Sequence, residues 1–247
     1  MSTPIVLLHA FPLDHRLWDD VAAALPSDRR VLAPDLPVPP GEDLPEASLD
    51  EAADRVAALV EELGGRAVVA GLSMGGYVAL ALLERHPDLV AGLALVDTKA
   101  TADAPEAAAN RLRVAADVEA AGSVGPVLGL ADGLVGESTR VARPQVRDRV
   151  RAWIGEQDPA RVAWAQRAMA ARPDRTAALR AFDGPVAVVV GDEDTLTGVD
   201  AAEHMVKAAP QAQLVVVPRA GHLSAVEDAP VVTTALLELL QRVDGGA

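Results

Sequence analysis

Short apolar runs alternate with longer amphipathic stretches over the first hundred residues and the last sixty-five. The runs are 5–8, 31–33, 67–70, 93–96, 186–190 and 214–217. Each is apolar on both faces, the pattern of a parallel strand covered by helices on either side. Between them, apolar residues recur at three- and four-residue spacing over 49–63, 74–85, 201–209 and 226–243, which predicts helices. Ser48 is placed to cap the first of these, with Glu51 at capping-box distance, and His86-Pro87 ends the second. Strands alternating with helices predict an α/β fold with a mostly parallel sheet of about six strands and right-handed crossovers.

The alternation stops over 98–182, where the pattern is helical with no convincing strand. A helical segment set between two strand–helix units predicts a cap over one end of the sheet. The expected division is therefore a core of 1–97 and 183–247 with a cap insertion of 98–182. The proline-rich stretch 34–45 predicts a surface loop after the second strand.

Composition narrows the function. Hydrophobic residues make up 50% and charged residues 23%, as in a globular domain, and the net charge is −14. So acidic a chain repels phosphate backbones, which argues against a nucleic-acid partner. No apolar run reaches membrane-spanning length, and the first residues lack a signal-peptide pattern, so a cytoplasmic protein without membrane contact is expected. There are no cysteines, which excludes disulfides, thiolate metal sites and a cysteine nucleophile. Within 98–182 the balance turns positive, with Arg111, Arg113, Arg143 and Arg147 among its arginines. Such charge attracts a carboxylated substrate, although pairing with nearby acids on exposed helix faces, as for Arg147 with Asp148, is the more ordinary arrangement.

Gly71-Leu72-Ser73-Met74-Gly75 follows an apolar run and opens a helix. A serine in so tight a turn projects its hydroxyl outward, and only glycines fit two residues to either side. The same turn aims a helix N-terminus, with its unpaired N–H groups, at any oxyanion formed there. Serine needs a base, and histidine is the usual one near neutral pH. His15, His86 and His204 stand at or within helices. His222 lies on a loop after the last strand run, at the edge where parallel sheets carry their chemistry. For the acid that orients it, Asp194 in Gly191-Asp192-Glu193-Asp194 and Asp97 at the end of 93–96 both qualify, and both keep the order Ser, Asp, His. The second oxyanion N–H, beside that of Met74, is expected from Phe11 in the loop after the first run.

These residues, with Leu7-Leu8-His9-Ala10-Phe11-Pro12-Leu13, Ala33-Pro34-Asp35-Leu36-Pro37 and Ala220-Gly221-His222, resemble the α/β-hydrolase superfamily over nearly the whole chain. The elbow and the cap are similar to bacterial proteins of the 3-oxoadipate enol-lactonase type and to small carboxylesterases. The resemblance implies a triad of Ser73, His222 and Asp194, favouring Asp194 over Asp97. It implies hydrolysis of a small ester or lactone through an acyl-enzyme, with no metal or organic cofactor. Peracid formation at the same site, or ligand sensing with little turnover, are the alternative activities. Trp153, Trp164 and Leu223 are candidate pocket walls. Three positions depart from the pattern: Ala10 replaces the usual glycine, a proline after the acid is missing, and the chain starts at the His-Ala strand without the usual preceding hairpin. The edge thereby exposed suggests a homodimer as one means of covering it.

Overall fold

The computed structural model describes residues 2–245. Six strands form one sheet in the order β2-β1-β3-β4-β5-β6: β1 Ile5–Leu8, β2 Val31–Leu32, β3 Ala67–Leu72, β4 Val90–Val96, β5 Val186–Gly191 and β6 Ala212–Val217. Every neighbouring pair is parallel. All residues of β1, β3, β4 and β5 are buried, as their unbroken apolar runs require. The helices before the insertion are α1 Asp19–Ala24, α2 Leu49–Glu62 and α3 Met74–Arg85. Those between β4 and β5 are α4 Pro105–Ala121, α5 Ala131–Leu134, α6 Glu137–Ala142, α7 Pro144–Gly155, α8 Pro159–Ala170 and α9 Thr176–Ala181. The last three are α10 Val199–Ala208, α11 Ser224–Glu227 and α12 Ala229–Gly245.

Local chemistry sets the boundaries. Ser48 Oγ accepts from the Asp50 N–H and starts α2, worth about 1 kcal/mol. The apolar stripe Leu49, Ala52, Ala53, Val56, Ala57 and Val60 is buried, and the helix packs against α3. The single helix expected over 226–243 is instead two, α11 and α12, broken at Asp228, whose backbone is not helical (φ −144°, ψ 67°). Asp228 Oδ1 accepts from the Val231 N–H at 3.4 Å at the start of α12, and Pro230 stands in its first turn, where a missing N–H leaves no helix bond unmade.

The segment 98–182 does not act as one unit. Helices α4 and α8 pack on each other, and the short 3-10 turn Gly125–Leu130 packs against α4, α5 and α7. Helix α9 packs against α3 and α10 beside the sheet. The buried Arg175 just before it bonds Glu84 of α3 at 3.1 Å and also pairs with Asp50 of α2. The chain has thus returned to the sheet layer before α9 begins. The 34–45 stretch differs from expectation too: Leu36 and Val38 are buried. Arg161 of α8 donates to the carbonyls of Leu36 and Val38, which pins the loop beneath α8.

Candidate active site

Ser73 stands where β3 gives way to α3, at φ 53° and ψ −110°. A non-glycine residue there stores of order 1–3 kcal/mol of backbone strain. The strain is held by bonds on both sides. The Ser73 N–H donates to the Val96 carbonyl at 2.9 Å, and the Ser73 carbonyl accepts from Thr98 Oγ1 at 2.8 Å. The flanking glycines are steric requirements. A Cβ on Gly75 would lie 2.1 Å from the Leu8 carbonyl oxygen, and one on Gly71 would lie 2.2 Å from that of Gly75.

His222 Nε2 lies 2.8 Å from Ser73 Oγ. Its Nδ1 lies 2.9 Å from Asp194 Oδ2, so Nδ1–H donates to the carboxylate and Nε2 is left to accept the serine proton. Asp194 is fixed in turn: Oδ1 accepts from the N–H groups of Leu196 (2.8 Å) and Thr197 (3.1 Å), and Oδ2 accepts from Thr197 Oγ1 (2.7 Å). Burial by itself lowers the His222 pKa, but the hydrogen bond and charge of Asp194, with the charges of Asp97 and Glu227, outweigh it, and the net shift is upward. Asp194 moves the opposite way. Burial pushes it up, while the bond to His222 and the surrounding donors pull it below its ordinary value.

Asp97, the other candidate acid, faces a different set of partners. Its Oδ1 accepts from the Gly191 N–H at 2.9 Å, and its Oδ2 accepts from the N–H (2.9 Å) and Oγ (2.6 Å) of Ser224. It ties the end of β5 to the segment after His222. Complete burial, and then the charge of Asp194, push its carboxyl up to about 7.

Glu227 carried no signal in the sequence, yet it organises the same loop. This buried carboxylate accepts from the Gly221 N–H and, through its other oxygen, from the Gly136 N–H, both at 2.9 Å. Gly136 and Gly221 touch backbone to backbone, since a Cβ on Gly221 would fall 2.3 Å from the Gly136 nitrogen. Glu193 reaches across as well, accepting from the Ser138 N–H at 2.8 Å and from the Ser138 hydroxyl. His9 has a comparable structural task. Its Nε2 accepts the Leu36 N–H at 2.8 Å, joining the loops after β1 and β2. Thr98, Thr197 and Ser224 are further supports that sequence reasoning missed, because a lone hydroxyl has no pattern before the chain is folded.

Ser73 and His222 open into a cavity of about 370 Å³. Its walls include Phe11, Tyr77, Val127, Leu134, Leu196 and Thr197, and on the polar side Lys99, Asp103, Asn110, Arg111 and Gln166. Phe11 also borders a second cavity of about 380 Å³, together with Met74, Leu36 and Val162. Of the two expected oxyanion donors, Phe11 borders both spaces and Met74 lines the second. The expected walls are corrected. Trp153 lies outside both linings, between the guanidinium groups of Arg149 (5.1 Å) and Arg16 (5.7 Å). Trp164 gives its Nε1–H to the carbonyls of Pro45 (2.9 Å) and Glu46 (3.2 Å), because a buried indole needs an acceptor. Leu223 has no exposed surface. In the second cavity Asp14, His15 and Asp35 have ligand atoms close enough for a metal ion. Arg16 forks onto both oxygens of Asp14 (2.9 and 2.7 Å) and His15 bonds Asp35 at 2.9 Å, so the group satisfies itself.

The fold and this elbow define a hydrolase of the α/β type, and comparison with known proteins agrees. The family described as "alpha/beta hydrolase fold" matches residues 3–229, and the chain belongs to it. Two curated relatives are pimeloyl-[acyl-carrier protein] methyl ester esterases. That of Neisseria meningitidis serogroup A is 30% identical over 88% of this chain and 70% of its own. That of Aromatoleum aromaticum is 41% identical over 40% of this chain, which spans only 38% of that relative's length. A thermophilic esterase from Thermogutta terrifontis, solved with malate bound, is 39% identical over 98% of this chain and 91% of its own, with a TM-score of 0.90. The enol-lactonase from Burkholderia xenovorans is 24% identical over 98% of this chain and 92% of its own, with a TM-score of 0.84, a likeness of fold. Among the described residues no helix is long and apolar enough to cross a membrane.

Proposed function

We propose that this chain hydrolyses small carboxylic esters or lactones through an acyl-enzyme formed on Ser73. The observation that carries this reading is the relay of two hydrogen bonds, 2.8 Å from Ser73 Oγ to His222 Nε2 and 2.9 Å from His222 Nδ1 to Asp194. Ser73 Oγ attacks the carbonyl carbon as its proton passes to His222 Nε2. Asp194 holds the imidazole in the required tautomer and stabilises the imidazolium. The oxyanion is received by the N–H groups of Met74, at the start of α3, and of Phe11. His222 returns the proton to the leaving alcohol, or to the ring oxygen of a lactone. A water molecule activated by the same histidine then attacks the acyl carbonyl, and Ser73 leaves with a proton. In this reading the helices around α4 and α8 serve as the lid over the cavity, and its modest volume suits a small substrate. The names of the esterase relatives support the reaction class.

Replacing the nucleophile tests it. Ser73→Ala lowers turnover of p-nitrophenyl butyrate by about 10⁴-fold or more and abolishes labelling by a fluorophosphonate, while the circular dichroism spectrum is unchanged. Ester hydrolysis surviving in Ser73→Ala overturns the assignment.

A further inference from the structure

The cavity over Ser73 holds more positive charge than ester hydrolysis requires. Asp103 is almost inaccessible, and three cations converge on its carboxylate: Lys99 Nζ at 3.0 Å, Arg111 Nε at 2.6 Å and Arg172 Nη2 at 2.8 Å. One carboxylate cannot balance three cations. Arg172 is spent on Asp103 itself and does not line the cavity. Its side chain is 2% exposed, it places Nη1 on the other Asp103 oxygen at 2.9 Å, and it stacks 3.9 Å from the centre of the Tyr77 ring.

Lys99 and Arg111 differ from it. Both line the cavity that contains Ser73 and His222, and their side chains are 25% and 23% exposed. Arg111 gives Nη1 to Gln166 Oε1 at 3.2 Å and to the weakly accepting Met169 Sδ at 3.4 Å. Among the described residues its Nη2 has no recorded partner, and Lys99 has none beyond Asp103. The other carboxylates nearby, Asp97 and Asp194, lie beneath His222 and already accept several hydrogen bonds each. The remaining cations suggested by the sequence are spent on the protein. Arg147 pairs with Asp148 and Asp132, Arg113 with Asn110 and Asp117, and Arg143 with the Glu227 carbonyl. Val114, Pro126, Val127 and Leu130 give the same cavity an apolar wall, where a charge is screened less than in bulk water. A guanidinium edge and an ammonium facing such a space match a carboxylate.

We propose that Lys99 and Arg111 form a subsite for a free carboxylate of the substrate. The preferred substrate is then a short ester or lactone with an ionised carboxyl group a few carbons from the scissile bond. The inference deepens the esterase reading and rests on it. Asp103 and Arg172 are positioning residues that aim the two cations into the cavity.

The test starts with the unaltered protein. Monomethyl glutarate and monomethyl adipate carry the carboxylate in the acyl half, and butanoyloxyacetate carries it in the alcohol half. Methyl pentanoate, methyl hexanoate and ethyl butanoate are the neutral counterparts. At least one carboxylated series exceeds its counterpart in kcat/KM by about tenfold or more, mainly through KM, the factor one charge-assisted hydrogen bond supplies. Which series does so identifies the half that the subsite holds. Glutarate inhibits competitively. Lys99→Met and Arg111→Gln each bring the ratio of carboxylated to neutral kcat/KM towards one and weaken glutarate inhibition, and Arg111→Lys restores part of both. Ser73-dependent hydrolysis with no carboxylate preference in the unaltered protein overturns the subsite and leaves the esterase reading standing. If no ester is turned over at all, the esterase reading fails. The subsite is then decided by calorimetric binding of glutarate, tighter to the unaltered protein than to Arg111→Gln if it exists and undetectable if it does not.

Discussion

At the scale of single residues, the site works by setting two buried carboxylates to opposite tasks. Asp194 is kept ionised by its donors and by His222, while Asp97 is driven up to about 7 by burial and by the Asp194 charge. The His222 imidazole is raised above its usual pKa because Asp194, Asp97 and Glu227 together outweigh its burial. In the proposed mechanism only neutral His222 accepts the serine proton. As pH falls through the raised pKa, activity is therefore expected to be lost, with the acid limb of kcat/KM above the ordinary histidine value of 6.5. A profile of a neutral ester between pH 5 and 9 measures it, and a limb centred below 6.5 contradicts it. Ser73, His222 and the two rival acids were legible in the sequence because each follows an apolar run at a strand's carboxyl end. Their hydroxyl and carboxylate supports were not, since Thr197, Ser224 and Glu227 gain meaning only from partners distant in the chain or from the fold of their own turns.

At the scale of elements, the elbow depends on how closely α3 approaches β1. Gly75→Ala forces a methyl group against the Leu8 carbonyl. We expect a loss of about 1–3 kcal/mol in urea unfolding, with esterase activity falling further than stability because the Met74 N–H moves with the helix. Glu227 links two elements in the same way. Glu227→Ala orphans the N–H groups of Gly136 and Gly221 at about 1–3 kcal/mol each, read in the same unfolding experiment. Strands were legible because both faces of β1, β3, β4 and β5 are buried. The helices of the insertion were legible as helices, but not where they lead. No period in the sequence separates α9, which rejoins the sheet layer, from α4 and α8, which cover the cavity. The tryptophans were misread for a related reason, because helical spacing shows that a face is apolar without saying against what. The edge expected to want a partner is a strand of two residues, Val31–Leu32, and shortness is itself a recognised protection.

At the scale of the whole molecule, a chain of net charge −14 sets two cations, Lys99 and Arg111, in the wall of the cavity that Ser73 lines. Ion pairs in both cavities bear on acid stability. Asp14 is held down at about 2, where the hydrogen bonds of Arg16 and Gln157 overcome burial. Asp103 is held lower still, where Arg172 and Arg111 overcome burial. Both bind a proton less readily folded than unfolded, so their contribution is present above about pH 4 and lost as pH falls towards about 2. The urea midpoint is therefore expected to drop over that window, and Asp103→Asn to flatten the drop. A midpoint constant between pH 4 and 2.5 argues against this.

The shared grip of Glu227 on Gly136 and Gly221 also constrains engineering. A chimera that grafts a foreign lid onto this scaffold, cutting at the ends of β4 and β5, discards one half of that clasp. The donor lid must then supply a small residue with a free amide at the position of Gly136. Without it, the graft is expected to unsettle the loop of His222 even when Ser73, His222 and Asp194 are all retained.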